Sequence, residues 1–177
     1  MSNPPIPTAV IWLTGLPASG KTTTARELIA LLQKNGLQAQ LLDGDEIRAK
    51  MPNIGFTKEA RIEHIKRVGL MASELQKSGI FAVAALVSPY SSAREFVRSV
   101  TRNMIEVYMA TSLEVCEQRD VKGNYGKART GEIANFTGVN DPYEAPLNPE
   151  ITLDAKTKTP NQCGEAILHY LLAKSER

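Results

Sequence analysis

Ala9–Val10–Ile11–Trp12–Leu13–Thr14–Gly15–Leu16–Pro17–Ala18–Ser19–Gly20–Lys21–Thr22 is the stretch whose reading decides the fold. Its first six residues form an unbroken apolar run, the pattern of a strand buried on both faces in a parallel sheet. The next eight match G-x-x-x-x-G-K-[ST]. A helix is predicted immediately after, over 22–35, from the spacing of Ala25, Leu28, Ile29 and Leu32, with Gly36 as its C-terminal stop. A glycine loop between a strand and a helix is a phosphate cradle. Its backbone N–H groups converge on a phosphate, and the helix N-terminus adds a favourable dipole. In such a loop Lys21 reaches the β- and γ-phosphates and the Thr22 hydroxyl ligates a divalent cation, so ATP and Mg²⁺ are the expected cofactors.

Outward from this stretch, strands and helices alternate. Further strands are predicted at 38–42, 80–87 and 104–109, with a short last one at 151–153. Helices are predicted near 58–78, 92–101, 113–120 and 163–173. Residues 122–150 are rich in Gly, Asn, Pro and basic residues with little periodicity, which reads as a lid or binding loop. Alternation of this kind implies right-handed βαβ units. The expected fold is α/β: a three-layer P-loop NTPase-type domain, with a mostly parallel central sheet, helices on both faces and a lid. Residues 1–8 are expected to be a disordered lead-in and 9–177 one kinase domain, a length that leaves little room for a second.

Composition is that of an ordinary globular chain, 42% hydrophobic and 23% charged, enough to bury one core. The net charge of +2 is too weak to argue for nucleic acid or a membrane, so any anion site must come from a local cluster. No apolar run approaches a membrane span, and the polar, Pro-rich start has no signal-peptide pattern. Cys116 and Cys163 show neither CxxC nor metal spacing, which suits reduced thiols in a cytoplasmic protein.

A P-loop alone does not separate kinase, GTPase and motor. A guanine-reading N-K-x-D is not in a usable place, and the third strand runs into Ser88–Pro89–Tyr90 where a motor would carry an acidic residue. A small-molecule kinase fits better. Asp43–Gly44–Asp45 closes the second strand, at the sheet edge where α/β proteins bind ligands. That strand is expected beside the P-loop strand. Asp43 can then orient a hydroxyl nucleophile or hold a Mg²⁺-bound water, and the residues do not separate the two. Asp45 reads equally as a sugar-hydroxyl ligand or as the cap of the next helix. Arg48 and Arg61 flank Gly55–Phe56, and their planar forks suit phosphate or sulfate.

At this point the sequence resembles the adenylylsulfate kinases, and nearly the whole chain takes part. The matching motifs run in family order. They begin with the P-loop through Thr23, then Leu42–Asp43–Gly44–Asp45 with Arg48, Gly55–Phe56 with Arg61, and Ser88–Pro89–Tyr90. Cys116–Glu117–Gln118–Arg119–Asp120, Lys122–Gly123–Asn124–Tyr125, Lys127–Ala128–Arg129, Gly131–Glu132–Ile133, Phe136–Thr137–Gly138 and Pro142–Tyr143–Glu144 follow. The resemblance implies transfer of the γ-phosphate of ATP to the 3′-hydroxyl of adenosine 5′-phosphosulfate. It implies ATP on residues 15–23 with Arg119, Lys127 and Arg129. It implies the acceptor on Asp43, Asp45, Arg48, Phe56, Arg61, His64, Val87, Ser88, Lys122, Asn135 and Phe136, its adenine lying between Phe56 and Phe136. It implies metal at Thr22 and Asp43, catalytic roles for Lys21, Asp43 and Ser88, and a homodimer. For Ser88 two readings stand, a phosphoenzyme residue or a local hydrogen-bonding one; in-line transfer needs no covalent intermediate. The sequence departs from the family at His64, where Asn is usual, and at Asn124, where Leu is common. The redox cysteine pair of plant members is missing, with Ala39 at one of its positions. A different small-molecule kinase or a non-catalytic nucleotide-binding regulator are the competing readings.

Overall fold

A computed structural model describes residues 6–51 and 54–175, so most of the expected lead-in lies outside the described residues. Ile6, expected in that lead-in, packs against the core. Among the described residues twelve elements follow in order: β1 (Val10–Thr14), α1 (Lys21–Lys34), β2 (Ala39–Asp43), α2 (Gly44–Ala49), α3 (Lys58–Lys77), β3 (Phe81–Ala85), α4 (Ser91–Val100), β4 (Met104–Met109), α5 (Leu113–Gln118), α6 (Asn124–Arg129), β5 (Ile151–Leu153) and α7 (Pro160–Ser175). Two helices were not anticipated. The six residues of α2 are too few to show a period, and α6 lies inside the stretch expected to be irregular. α7 opens three residues earlier than predicted, at Pro160, whose fixed φ and missing N–H suit a first helical position.

The sheet is parallel throughout, in the order β2-β3-β1-β4-β5. This corrects the expected neighbourhood of the acidic turn, because β3 lies between β2 and the P-loop strand. The reason is the pair of faces. Ile11 and Leu13 of β1 pack with Leu28 and Leu32 of α1 and with Cys163 and Ile167 of α7. Val10 and Trp12 pack on the other side with Ile65, Val68 and Ala72 of α3 and Ala93 and Val97 of α4. The chain crosses on the α1 face from β1 to β2, then returns on the α3 face into the gap between them. Leu28 and Leu32 are wholly buried, each worth about 1.5–3 kcal/mol relative to exposure. No helix among the described residues is long and apolar enough to cross a membrane.

Register brings the strand ends level. Ala85 of β3 pairs with both Leu13 of β1 and Asp43 of β2. The P-loop and the acidic turn therefore leave the sheet at one height and on one edge.

Candidate active site

The P-loop begins one residue after β1. A Cβ at Gly15 would meet the Met109 carbonyl at 2.7 Å and Ser19 Oγ at 2.9 Å, so only glycine lets the loop lie this close to β4. Ala18, exposed at the loop tip, takes φ +62, a left-handed value uncommon outside glycine. Lys21 opens α1 and is buried. Its Nζ donates to the Gly15 carbonyl at 3.0 Å, the Leu16 carbonyl at 2.6 Å and Ser19 Oγ at 3.3 Å. These three oxygens fold the ammonium back into the loop. Burial pulls the pKa of Lys21 down to about 8, against the opposing fields of Cys116, Asp45 and Asp43. Pro17, also in the loop, accepts at its carbonyl from the buried Tyr125 hydroxyl of α6 at 2.8 Å. Thr23 is exposed and Gly20 half-buried.

Asp43 meets the P-loop despite the intervening strand. Its Oδ2 accepts from Thr22 Oγ1 at 2.8 Å. Its Oδ1 accepts the backbone N–H groups of Asp45 at 2.9 Å and Glu46 at 3.2 Å, which makes Asp43 the N-cap of α2. The capping reading therefore belongs to Asp43, not to Asp45. Asp45 projects into solvent, with Lys122 Nζ 3.5 Å from its carboxylate. A hydroxyl and a carboxylate side by side are hard oxygen donors, the set that Mg²⁺ prefers; their fit to that ion rests on this pairing.

Around Phe56, Arg48 Nη1 donates to the Gly55 carbonyl at 2.9 Å, and its guanidinium carbon lies 4.8 Å from the centre of the exposed Phe56 ring. Burial and then the neighbouring Arg61 lower the pKa of Arg48. Arg61 donates from Nε to the Phe56 carbonyl at 3.0 Å, and from Nη1 to Thr137 Oγ1 at 2.5 Å and Asp141 Oδ2 at 3.2 Å. It thus joins the segment carrying Phe56 to the segment carrying Phe136. Phe136 meets Tyr125 edge-to-face at 4.9 Å between centroids. Asn135 beside it is exposed with φ +55. His64 is buried, with Nε2 3.2 Å from the Gly44 carbonyl and no partner for Nδ1 among the described residues. Burial and then the Arg48 charge lower its pKa, so the ring is neutral near pH 7 and donates from Nε2.

Ser88 takes φ +46 and is buried; its Oγ accepts from the Trp12 indole N–H at 2.9 Å. The Val87 carbonyl accepts from Thr14 Oγ1 at 2.7 Å. Lys127 and Arg129 lie exposed on α6, and Arg129 is paired with Glu117 of α5. Arg119 donates to the Ala155 carbonyl at 2.8 Å.

Sequence reasoning quoted Ser88–Pro89–Tyr90 and Pro142–Tyr143–Glu144 without seeing that they are stitched together. Buried Arg94 donates to the Ser88 and Glu144 carbonyls, at 2.5 and 2.6 Å. Glu144 N donates to the Pro89 carbonyl at 2.8 Å, and the Tyr143 hydroxyl lies 2.9 Å from Thr14 Oγ1. The sequence signal for both motifs was their match to the family pattern.

A family model described as adenylylsulphate kinase matches residues 7–154. The chain belongs to the adenylylsulphate kinase family. It is 45% identical over 165 residues to the adenylyl-sulfate kinase of Halothermothrix orenii, covering 93% of this chain and 89% of that one. It is 46% identical over 155 residues to a probable adenylyl-sulfate kinase of Aeropyrum pernix, covering 85% of each. The structure of the Mycobacterium tuberculosis APS kinase in complex with AMPPNP and APS superposes with a TM-score of 0.89 at 33% identity, covering 94% of this chain and 99% of that one. The chain is therefore a phosphotransferase of the adenylylsulphate kinase type.

Proposed function

We propose that the chain transfers the γ-phosphate of ATP to the 3′-hydroxyl of adenosine 5′-phosphosulfate, giving ADP and 3′-phosphoadenosine 5′-phosphosulfate. The observation that carries this reading is the Thr22–Asp43 hydrogen bond, which sets the acidic turn against the phosphate loop. A phosphate donor on residues 15–23 and a hydroxyl acceptor at Asp43–Gly44–Asp45 would then meet at one place.

In this reading the loop N–H groups and Lys21 bind the nucleotide phosphates. The Lys21 charge counters negative charge as it shifts to the leaving oxygen. Thr22 and Asp43 would hold Mg²⁺, which when bound would supply positive charge against the phosphates. The bond from the γ-phosphorus to the β,γ-bridging oxygen breaks as the bond to the 3′-oxygen forms, and the hydroxyl proton leaves. Asp43 receives or orients that proton, directly or through a water. Phe56 and Phe136 stack on the acceptor purine. Arg48, Arg61 and Lys122 meet its phosphosulfate and sugar, and Asp45, His64, Val87 and Asn135 line the same pocket. Ser88 serves as a wall residue, a role its burial and its bond to Trp12 support. Arg119, Lys127 and Arg129 approach ATP, the latter two on the 122–150 lid, which excludes water as a competing acceptor. A cytoplasmic homodimer completes the proposal; sedimentation equilibrium reads the assembly.

Coupled measurement of ADP release tests it. Turnover should require adenosine 5′-phosphosulfate and be lost with adenosine 5′-monophosphate or sugars as acceptor. Equal turnover of a sugar would move the chain to another small-molecule kinase, and no turnover would leave a nucleotide-binding regulator.

A further inference from the structure

Asp141 has no role in the reading above, yet its carboxylate is shared by Arg61 and Tyr90 beside the acceptor pocket. Its Oδ2 lies 3.2 Å from Arg61 Nη1, an ion pair whose side chains are only 12% and 15% exposed. The Tyr90 hydroxyl donates to both of its oxygens, at 3.1 and 2.9 Å. Tyr90 is itself buried, and burial followed by the bond to Asp141 pushes its pKa up to about 12, so it stays a donor at any working pH. The Asp141 backbone closes the turn that carries Phe136. Asp141 N donates to the Phe136 carbonyl at 3.2 Å, Gly138 N donates to the Asp141 carbonyl at 2.8 Å, and Phe136 N donates to Asn140 Oδ1 at 2.5 Å. On the other side, Arg61 Nε holds the carbonyl of Phe56.

One carboxylate therefore stands between three segments: the turn with Phe136, the α3 arginine that holds Phe56, and the Tyr90 corner that follows β3. Arg61 uses Nε and Nη1 on protein oxygens, which leaves Nη2 without a bond among the described residues. A guanidinium gripped on one edge keeps its other edge in a fixed direction, which a free side chain of this length does not.

We propose that Asp141 is a positioning residue of the acceptor site, aligning Arg61 and the two phenylalanine-bearing segments on the acceptor purine nucleotide. This rests on the functional reading above and deepens it, by giving the acceptor pocket its own electrostatic frame separate from that of ATP. The bond is charge-assisted and largely shielded, the class whose loss is felt.

Asp141→Asn keeps an oxygen for the Tyr90 hydroxyl and removes the charge that holds Arg61. The Michaelis constant for adenosine 5′-phosphosulfate should rise about tenfold, at the lower end for a lost charge-assisted hydrogen bond. That for ATP, and kcat, should stay within about threefold, because the altered contact lies on the acceptor side alone. Tyr90→Phe, which removes a hydroxyl and no charge, should raise the acceptor constant in the same direction by a smaller factor, and the two effects should not add. Calorimetry on each variant separates loosening of the fold from the split between substrates. An unchanged acceptor constant in Asp141→Asn, or equal losses for both substrates, overturns the assignment of Asp141 and leaves the kinase reading standing. A wild-type protein that does not turn over adenosine 5′-phosphosulfate overturns both.

Discussion

Replacing Asp43 by Asn separates the chemistry of the acidic turn from its structure. One Asp43 oxygen caps α2 through two backbone N–H groups and the other accepts from Thr22. Asn is as good an N-cap as Asp, and its oxygen can take the same two N–H groups. The Thr22 hydroxyl can turn and accept from the new amide. What disappears is the negative charge. At the first turn of a short helix that charge contributes about 0.3–1 kcal/mol, so the melting temperature should fall by only about 1–4 °C. The chemical step should suffer far more. Positioned general bases contribute at least about a hundredfold, which is about 2.7 kcal/mol on the barrier. Initial-rate kinetics with both substrates varied should show kcat down by at least that factor and little change in the Michaelis constant for adenosine 5′-phosphosulfate. Asp43→Ala adds the loss of the cap, about 1 kcal/mol, and should melt lower still. If Asp43→Asn keeps kcat and raises only the acceptor's Michaelis constant, Asp43 is a binding residue and Asp45 becomes the candidate for the catalytic role.

Lys21→Ala should lose several powers of ten in kcat at every pH, with the fold retained by circular dichroism. In the wild type, burial holds the Lys21 pKa at about 8 while the unfolded chain titrates near 10.5. The folded protein therefore loses this charge first as pH rises: kcat/KM for ATP should fall above pH 8, whereas the stability that burial takes away should return between pH 8 and 10.5. Bound phosphates hold the proton on, so the corresponding limb in kcat should lie at higher pH; a flat kcat/KM profile to pH 10 would contradict this. Phe136→Ala should weaken acceptor binding by about 5–150-fold and ATP binding little, checked by titrating each nucleotide; a loss for ATP alone would exchange the two purine sites. Cys116 and Cys163 are free, fully buried and raised in pKa chiefly by that burial. Activity should resist thiol oxidants, and a large rate change reversed by dithiothreitol would count against it.

The phosphate loop was legible in the sequence because its chemistry is local. Gly15, Gly20, Lys21 and Thr22 act through backbone conformation and a helix start that neighbouring residues dictate, and β1 and β3 were legible because the interior of a parallel sheet buries unbroken apolar runs. The acidic turn was legible as a strand end, and the aromatic and basic residues as matches to family motifs. Lateral strand order was not. Apolar runs report burial but not neighbours, so the insertion of β3 between β1 and β2 waited on which face each helix covers. The short α2 and α6 escaped because six residues span less than two helical turns. The residues that tie the site together, Asp141 to Arg61 and Tyr90, and Arg94 to Ser88 and Glu144, lie up to 80 positions apart. A hydrogen bond between distant residues leaves no period or spacing in a single chain, because its partners are chosen by where the sheet and helices deliver them in space.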